Sequence, residues 1–354
     1  MRVLTVVGAR PQFVKAFPVS RALGGDHEEV LVHTGQHYDD LLSDVFFREL
    51  AIPEPDHHLG VGSDGHAAQT AAMMIELDPL VASHSPDVVI VYGDTNSTLA
   101  GALVAAKRDV DLAHVEAGLR SFDREMPEEV NRVATDAVSD VLFAPSERAR
   151  EHLAAENVAG DVHVAGDVTY DALKTVHARA LEASTAVSDL GLADGGYVLA
   201  TVHRAANTDD PDRLRSVLSG LADAPQRVVL PAHPRTTAAL ERAGIDADAL
   251  EGVRLVDPVG YLDFVRLIDG AERVATDSGG VQKEAFYLDT PCVTLRDHTE
   301  WVETVDAGWN VLVGADRAAI AEALAEPFDG TDRPEPYGDG DAARRIVEAL
   351  AGRG

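Results

Sequence analysis

Short apolar runs alternate with longer amphipathic segments along the whole chain. The apolar runs have the length of buried strands, and the segments between them repeat their apolar residues at the spacing of a helix. Predicted strands lie near residues 2–7, 29–33, 87–92, 111–115, 140–144, 162–165, 197–202, 227–231, 253–256, 272–276, 291–295 and 310–313. Predicted helices lie near residues 14–23, 39–50, 66–84, 97–107, 128–139, 147–156, 212–222, 261–269, 281–288 and 316–325. Alternation of this kind predicts parallel sheets joined by right-handed crossovers.

A polar, glycine-containing stretch at residues 184–196 divides the predicted strands into two groups of six. We therefore predict an α/β fold with two doubly wound Rossmann-like domains, residues 1–183 and 184–340, facing a cleft. The remaining residues, 341–354, contain an amphipathic helix with Ile346, Val347 and Leu350 on one face. That apolar face predicts that the helix packs back on the first domain.

The composition is typical of a globular protein. The chain has 354 residues, 45% of them hydrophobic, which is enough for two domains with sizeable cores. No apolar run approaches the ~18 residues that a membrane span needs, and a strand-like segment starts at Arg2, so we expect neither a membrane anchor nor a signal peptide. The single cysteine, Cys292, excludes an intramolecular disulfide and a multi-cysteine metal site. These features predict a cytoplasmic protein.

The net charge is the unusual property of the composition. Sixty Asp and Glu residues face thirty Lys and Arg residues, which leaves a formal net charge of -30 at pH 7. Such a field repels nucleic acid and anionic membrane surfaces, so we exclude both as partners. The acidic residues are scattered among periodic apolar segments, which indicates a surface adapted to high salt rather than disorder. We therefore predict a halophilic protein, in which an anionic ligand needs local basic groups.

Carboxylates follow two predicted strands and open the helix that comes after them. Asp94 and Glu116 each follow a predicted strand, and Glu128 lies at the start of the next helix. In an open parallel sheet, ligands bind beyond the carboxyl ends of the strands. These three acidic positions therefore predict a site of proton transfer. The structural alternatives are a turn carboxylate at Asp94 and an i, i+4 surface pair between Glu128 and Arg132.

Other predicted strand ends carry features of anion-binding sites. In the first, a glycine turn leads into a helix with Arg10 and Lys15 near its start. In the second, His203 stands beside Arg204, a pair able to bind or protonate a phosphate oxygen. The third consists of Ser278, Gly279 and Gly280, followed one helical turn later by Glu284. Ordinary turns with surface cations and a structural histidine are the alternatives. The sequence contains no Walker A, HExxH, CxxC or GxSxG pattern, so kinase, zinc-protease and serine-hydrolase functions lose their main support.

Together these residues resemble the non-hydrolysing UDP-N-acetylglucosamine 2-epimerases and, with the acidic composition, a haloarchaeal type of that family. The likeness runs along nearly the whole chain. It covers residues 8–11 with Lys15, 34–37, 93–95, 115–120, 127–132, 203–204, 277–280 with Glu284, and 336–340. The resemblance implies a GT-B-like fold with a UDP-sugar in the cleft between the domains, a homodimer, no cofactor and no metal.

The family's reaction interconverts UDP-GlcNAc and UDP-ManNAc, a precursor of surface glycans. The proton at C2 is removed while UDP leaves from C1, which gives a 2-acetamidoglucal intermediate. UDP then adds back as a proton is delivered to the opposite face of C2. The resemblance implies that Asp94, Glu116 and Glu128 act as the catalytic acids and bases, in an order that stays open.

The remaining roles also follow from the resemblance. His203 lies beside the diphosphate and aids its departure. The implied contacts to the UDP-sugar are Arg10, Lys15, Ser278, Gly279, Gly280 and Glu284. A second, allosteric UDP-GlcNAc site of bacterial members corresponds to Gln36 and His37.

Several positions differ from the common family pattern. Gln12 stands where glutamate is frequent, and Ala206 precedes Asn207 where a glutamate is common. The segments 120–124 and 299–303 are typical of a subgroup that includes epimerases of UDP-2,3-diacetamido-2,3-dideoxyglucuronate. The same C2 epimerisation of that sugar is therefore the alternative function. A GT-B UDP-sugar glycosyltransferase and a UDP-sugar sensor are further alternatives, but neither needs all three carboxylates.

Overall fold

The computed structural model describes residues 1–36, 54–246, 250–328, 330 and 332–353, with only the backbone of Arg10. His37 and the helix predicted at residues 39–50 lie outside the described residues. The contacts divide the chain into two compact units, Met1–Lys174 with Glu335–Gly354 and Thr175–Pro334. This division falls after residues 174 and 334, whereas the sequence predicted domain boundaries after residues 183 and 340.

The first unit is built on a sheet of parallel strands. The strands described are β1 (Arg2–Val7), β2 (Glu28–His33), β3 (His57–His58), β4 (Val88–Tyr92), β5 (Asp111–Val115), β6 (Val141–Ala144) and β7 (Asp161–Val164). Their order is β3-β2-β1-β4-β5-β6-β7. The apolar strands are buried on both faces, as expected where helices cover a parallel sheet. Strand β3 was not predicted, because two histidines carry no apolar alternation; it pairs with the end of β2.

The helices described between β1 and β7 follow the predicted pattern closely. They are α1 (Arg10–Leu23), α2 (His66–His84), α3 (Asn96–Arg108), α4 (Pro127–Val138) and α5 (Glu147–Glu156). Helix α1 begins four residues earlier than the predicted segment at 14–23, and Pro11 supplies a favourable first turn. A single 3₁₀ turn, Gly24–Asp26, joins α1 to β2.

The second unit has the same plan. Its strands are β8 (Tyr197–Thr201), β9 (Arg227–Pro231), β10 (Val253–Val256), β11 (Arg273–Thr276), β12 (Cys292–Thr294) and β13 (Asn310–Leu312), all parallel, in the order β10-β9-β8-β11-β12-β13. Alternate residues of β8 and β9 enter two separate apolar clusters, one on each face of the sheet. The prediction of an α/β fold with two doubly wound parallel sheets is confirmed.

The remaining helices include several that the sequence pattern did not predict. In chain order they are α6 (Val168–Ala183), α7 (Ala186–Asp189), α8 (Ala205–Thr208), α9 (Pro211–Ala222), α10 (Pro234–Ala243), α11 (Tyr261–Asp269), α12 (Gly279–Tyr287), α13 (Val302–Asp306), α14 (Arg317–Ala325) and α15 (Ala342–Ala351). Helices α6, α7, α8, α10 and α13 were not predicted. The longest of them, α6, buries Val168, Leu173 and Val176.

The C-terminal helix α15 belongs to the first unit. Asp171 accepts hydrogen bonds from the backbone N–H groups of Ala342 at 3.1 Å and Ala343 at 2.7 Å, so it caps the free amide groups at the start of α15. Ile346 and Leu350, on the predicted apolar face, are buried. No helix among the described residues has both the length and the apolar character that a membrane crossing requires.

The strand order reverses once in each sheet. Strands β1 and β4 are neighbours in the first sheet, and β8 and β11 are neighbours in the second, although neither pair is consecutive in sequence. Doubly wound folds bind ligands outside the carboxyl ends of the strands at such a switch point. The segments at residues 8–15 and 93–95, and those at 203–204 and 277–280, directly follow these strands. The predicted motifs therefore lie at the two positions where the topology favours a ligand.

Candidate active site

Asp94 lies in the turn between β4 and α3, and an arginine from α4 holds its side chain. Arg132 donates to Asp94 Oδ2 through Nε at 3.0 Å and through Nη2 at 2.7 Å. Asn131 Nδ2 donates to the Asp94 carbonyl at 2.9 Å. Thr95 closes the turn as the N-cap of α3. Two consecutive residues of α4 thus fix both the backbone and the carboxylate of Asp94.

Arg132 also binds Glu129, the second glutamate of the sequence motif. Its Nη1 donates to Glu129 Oε2 at 2.7 Å, and the Glu129 carboxylate accepts from Ser121 N, Ser121 Oγ and Phe122 N. Burial opposes ionisation of Glu129, but the hydrogen bonds from Ser121, Arg132 and Phe122 outweigh it and lower its pKa. Glu129 therefore fastens the loop at residues 121–122 to α4. The proposed surface pair between Glu128 and Arg132 is wrong, because Arg132 is committed to Asp94 and Glu129.

Glu116 follows β5 and forms an ion pair with Lys15 of α1, whose ammonium contacts Glu116 Oε2. Burial opposes the charge on Lys15, but Glu116, Asp94 and Asp167 outweigh it and raise its pKa. A Cβ placed on Gly93 would lie 3.0 Å from Lys15 Nζ and 3.5 Å from Glu116 Oε2. The Glu116–Lys15 pair therefore packs directly against the turn that carries Asp94. The structure brings these predicted residues together.

Glu128 is the half-buried second residue of α4. It makes no hydrogen bond or ion pair with the residues that the structure describes. The first turn of a helix is a favourable position for a carboxylate because of the helix dipole.

Gln12 supports the turn after β1. Its Oε1 accepts from Gly8 N at 2.8 Å and Ala9 N at 3.1 Å, and its Nε2 donates to Tyr92 O at 2.9 Å and Thr98 Oγ1 at 3.0 Å. The buried amide thus joins the β1 and β4 turns. A glutamine satisfies all four groups with two donors and two acceptors, which explains this departure from the common glutamate.

Gln36, predicted for an allosteric site, is buried beside the N-terminus of α3. Its Oε1 accepts from Ser97 N at 3.0 Å and from Ser97 Oγ at 2.7 Å. Ser97 Oγ lies 2.8 Å from Thr34 Oγ1. The Gln36 side chain therefore has a structural role in the described chain, and its predicted partner His37 lies outside the described residues.

In the second unit, a buried aspartate organises the turn after β8. Asp277 is fully buried and accepts from His203 N at 3.1 and 3.0 Å, Arg204 N at 2.9 Å and Asn207 Nδ2 at 3.1 Å. His203 Nδ1 lies 3.4 Å from Asp277 Oδ1. Burial lowers the pKa of His203; Asp277 opposes this, while His233 adds to it. The His203 imidazolium is therefore a stronger acid than usual.

The turn after β11 leads into α12 with little room for side chains. A Cβ on Gly279 would lie 2.6 Å from Glu300 Oε1, whereas a Cβ on Gly280 would meet only Ser278 Oγ, at 3.9 Å. Glu284, one turn into α12, accepts from Tyr261 Oη at 2.8 Å. The start of α12 thus presents backbone N–H groups next to a tight glycine turn, a suitable arrangement for an anion.

Two arginines share one carboxylate next to this turn. Arg296 Nη2 donates to Glu300 Oε2 at 3.0 Å, and Arg204 Nη2 lies 3.9 Å from Glu300 Oε1. Burial lowers the pKa of Arg204, and the neighbouring Arg296 lowers it further. The guanidinium groups of Arg204 and Arg296 thus place positive charge next to this turn, in a chain whose net charge is strongly negative. The sequence analysis gave no role to Arg296 or Glu300, although Glu300 lies inside the segment at 299–303 and Arg296 lies three residues before it.

A profile of the family described as UDP-N-acetylglucosamine 2-epimerase matches residues 21–351. The chain belongs to this epimerase family.

Relatives within the epimerase family match along their full length. A UDP-2,3-diacetamido-2,3-dideoxy-D-glucuronate 2-epimerase of Pseudomonas aeruginosa is 47% identical over 364 residues, 99% of each chain. A UDP-N-acetylglucosamine 2-epimerase homolog of Methanococcus maripaludis is 44% identical over 358 residues, also 99% of each. The crystal structure of the Methanocaldococcus jannaschii UDP-GlcNAc 2-epimerase with UDP-GlcNAc and UDP matches with a TM-score of 0.87 and 39% identity, over 99% of this chain and 100% of that one. The likeness confirms the predicted GT-B-like class of fold.

The predicted residues of the epimerase family site fall into two groups, one in each unit. Asp94, Glu116 and Lys15 lie together in the first unit, and His203 shares the second unit with Ser278, Gly279, Gly280 and Glu284. Arg10 begins α1 next to the first group. The contact pattern adds residues to which the sequence analysis gave no role in the site. They are Arg132, Asn131, Asp277, Arg296 and Glu300. Arg132, Asn131 and Asp277 lie inside motifs of the family resemblance, which was the available signal.

Proposed function

We propose that the chain is a non-hydrolysing epimerase that inverts C2 of UDP-N-acetylglucosamine to give UDP-ManNAc. The proposal depends above all on one observation: Asp94 and Glu116, paired with Arg132 and Lys15, meet beside Gly93 at the switch point of the first sheet. Family membership supplies the class of reaction, and this arrangement of carboxylates is suited to proton transfer.

The reaction proceeds by elimination and re-addition. A carboxylate takes the proton from C2, the C2 electron pair forms the C1–C2 double bond, and UDP leaves with the electrons of the C1–O bond. The products of this step are UDP and 2-acetamidoglucal. UDP then adds to C1 while a carboxylic acid delivers a proton to the opposite face of C2. Asp94, Glu116 and Glu128 share the roles of acid and base.

The second unit supplies the groups that bind UDP. The backbone N–H groups at the start of α12, next to Ser278 and Gly279, bind the diphosphate. Arg204 and Arg296 offset the negative charge of the diphosphate as it leaves. His203, whose pKa is lowered, donates a proton or hydrogen bond to the departing diphosphate. Glu284, held by Tyr261, binds the ribose hydroxyls.

The alternative substrate is UDP-2,3-diacetamido-2,3-dideoxyglucuronate. One observation favours it: the identity of 47% with the Pseudomonas aeruginosa enzyme named for that sugar. A uronate carries a carboxylate that a further guanidinium can bind in a bidentate manner. The chemistry at C2 is the same for both sugars.

The test is to incubate the protein with each UDP-sugar separately in heavy water at high salt and to follow C2 by NMR. Deuterium at C2 with the C2 epimer appearing supports epimerisation, and the sugar with the higher kcat/KM is the substrate. Exchange of neither sugar contradicts the proposed function. Asp94→Asn is expected to abolish exchange while UDP binding, measured by calorimetry, survives.

Two expectations from the family resemblance stay predictions. One is a homodimer, measured by light scattering at high salt. The other is an allosteric site for UDP-GlcNAc at Gln36 and His37, which predicts that added UDP-GlcNAc accelerates the reverse reaction from UDP-ManNAc.

A further inference from the structure

His114, on β5, is fully buried, and both of its ring nitrogens face oxygen atoms. Nε2 lies 2.7 Å from the carbonyl oxygen of Gly93. Nδ1 lies 2.6 Å from Asp136 Oδ1. Gly93 directly precedes Asp94, and His114 lies two residues before Glu116. The ring therefore links the strand that leads to Glu116 with the turn that carries Asp94.

The partners determine the protonation state of the ring. A carbonyl oxygen only accepts hydrogen bonds, so Nε2 carries a proton. The other oxygen of Asp136 accepts from Gly118 N at 3.1 Å and contacts Arg120 Nη2 at 2.7 Å. Burial opposes ionisation of Asp136, but His114 and Arg120 outweigh it and lower its pKa. Nδ1 therefore faces a carboxylate that the Gly118 N–H and Arg120 also hold in place.

Arg120 connects this pair to a further carboxylate. It bridges Asp136 and Glu156, and it donates to Glu156 through Nε at 2.8 Å and Nη2 at 2.6 Å. The side chains of His114, Asp136, Arg120 and Glu156 thus form one connected set of polar contacts. A buried ion pair costs less when its neighbours complete the hydrogen bonds in this way.

The network acts on backbone that is held in an unusual conformation. Gly93, Glu116 and Gly118 have positive φ angles of 65°, 74° and 80°. A non-glycine residue at positive φ persists only where its surroundings hold it, and such residues are frequent in active sites. His114 Nε2 holds the Gly93 carbonyl, and Asp136 holds the Gly118 N–H. One ion pair therefore constrains the backbone on both sides of the carboxylate site.

We propose that the His114–Asp136 pair is a positioning device for the reaction: the His114 ring fixes the turn that carries Asp94, and Asp136 fixes the loop that carries Glu116. This inference rests on the proposed function. His114 itself touches no substrate in this role. A misplacement of about 1 Å in a reacting group lowers turnover by about 100-fold, which sets the scale of the effect.

Two substitutions separate the contacts of the ring. In His114→Asn the amide occupies the place of Nδ1 and reaches Asp136, but the Gly93 carbonyl loses its donor. In His114→Gln the amide reaches toward the Gly93 carbonyl and gives up Asp136. We expect kcat to fall about 100-fold in His114→Asn and less in His114→Gln, with the Kd for UDP unchanged. The matched control is His163→Gln, because His163 pairs with Asp161 at 3.2 Å on an exposed strand.

A spectroscopic measurement tests the contact of the ring with Gly93 without any turnover. Histidine labelled with ¹⁵N, assigned by the signal missing in His114→Gln, is expected to show a protected Nε2–H proton on His114. A ring without a protected Nε2–H overturns the proposal. Variants with wild-type kcat overturn it too, as does a fall in UDP affinity and Tm parallel to kcat. If the wild-type protein exchanges C2 of no UDP-sugar, the proposed function fails, while the N–H signals still determine the state of His114.

Discussion

Replacing Arg132 with methionine removes the one side chain that joins Asp94 to Glu129. Met has a similar length but no donor, so three hydrogen bonds are lost: those to Asp94 Oδ2 at 3.0 and 2.7 Å and that to Glu129 Oε2 at 2.7 Å. Burial opposes the charge of Arg132, but Asp94 and Glu129 outweigh it and raise its pKa, so the folded protein holds this guanidinium as a cation.

The expected loss of stability depends on the hydrogen-bond donors that each carboxylate keeps in the variant. Removing one partner of a fully buried ion pair costs about 3–5 kcal/mol. Glu129 retains the donors of Ser121 and Phe122, and the side chain of Asp94 is 30% exposed, so water replaces part of the loss. We therefore expect Arg132→Met to lower the free energy of unfolding by about 2–3 kcal/mol. For a cooperative unit of about 150–250 residues this lowers Tm by about 4–12 °C.

The substitution also changes the pH dependence of stability. The folded-state pKa of Glu129 lies below the ordinary value of 4.5. Its contribution to stability is therefore present above the unfolded pKa and is lost as pH falls through the lower folded pKa. Arg132 supplies part of that shift, so acidification below about pH 4.5 is expected to destabilise Arg132→Met less than the wild-type protein.

The assay is thermal and urea unfolding of both proteins at several pH values, with kcat for C2 epimerisation. The matched control is Arg150→Met, because Arg150 pairs with Glu147 on the surface of α5. A change within about 0.5 kcal/mol is expected there. For Arg132→Met we expect kcat to fall about 100-fold as Asp94 loses its fixed position. Equal stability of the two variants, or wild-type kcat in Arg132→Met, would refute the role given to Arg132.

Three further predictions concern other parts of the molecule. Gly279→Ala places a Cβ within 2.6 Å of Glu300 Oε1, so we expect UDP affinity measured by calorimetry to fall at least about 10-fold. The control Gly280→Ala, whose Cβ would have its nearest atom at 3.9 Å, is expected to leave the affinity nearly unchanged. Equal losses of affinity in the two variants contradict the proposed anion turn. Burial raises the pKa of Asp171 from 3.8 to about 6 despite its hydrogen bonds to α15, so its contribution to stability is present below pH 3.8 and is lost as pH rises through about 6. Asp171→Asn does not titrate at this position. The difference in free energy of unfolding between variant and wild type, measured by urea unfolding, is expected to shift in favour of the variant between pH 4.5 and pH 7.5, by about 1–2 kcal/mol after solvent screening. With a net charge of -30, Tm is expected to rise as KCl increases toward molar concentration, and a Tm that falls or stays constant contradicts the predicted halophilic surface.

The sequence by itself determined the sheets and the position of the site along the chain. Buried parallel strands need continuous apolar residues, so each long strand leaves a local signal. The ends of such strands meet at one edge, which is why Asp94 and Glu116 were assigned to one site before any contact was known. The two-residue strand β3 carries no such pattern, and only its pairing with β2 reveals it.

The tertiary structure alone decided which charges pair. Local spacing joined Glu128 to Arg132, but Arg132 reaches Asp94, 38 positions away in sequence. His114 and Asp136, separated by 22 positions, and Gln12 and Tyr92, separated by 80, likewise meet only in the folded chain. Apolar periodicity records which face of an element is buried, because burial is a property of single residues. Hydrogen bonds and ion pairs depend on the distance and orientation of two groups, and the packing of helices against the sheet sets these.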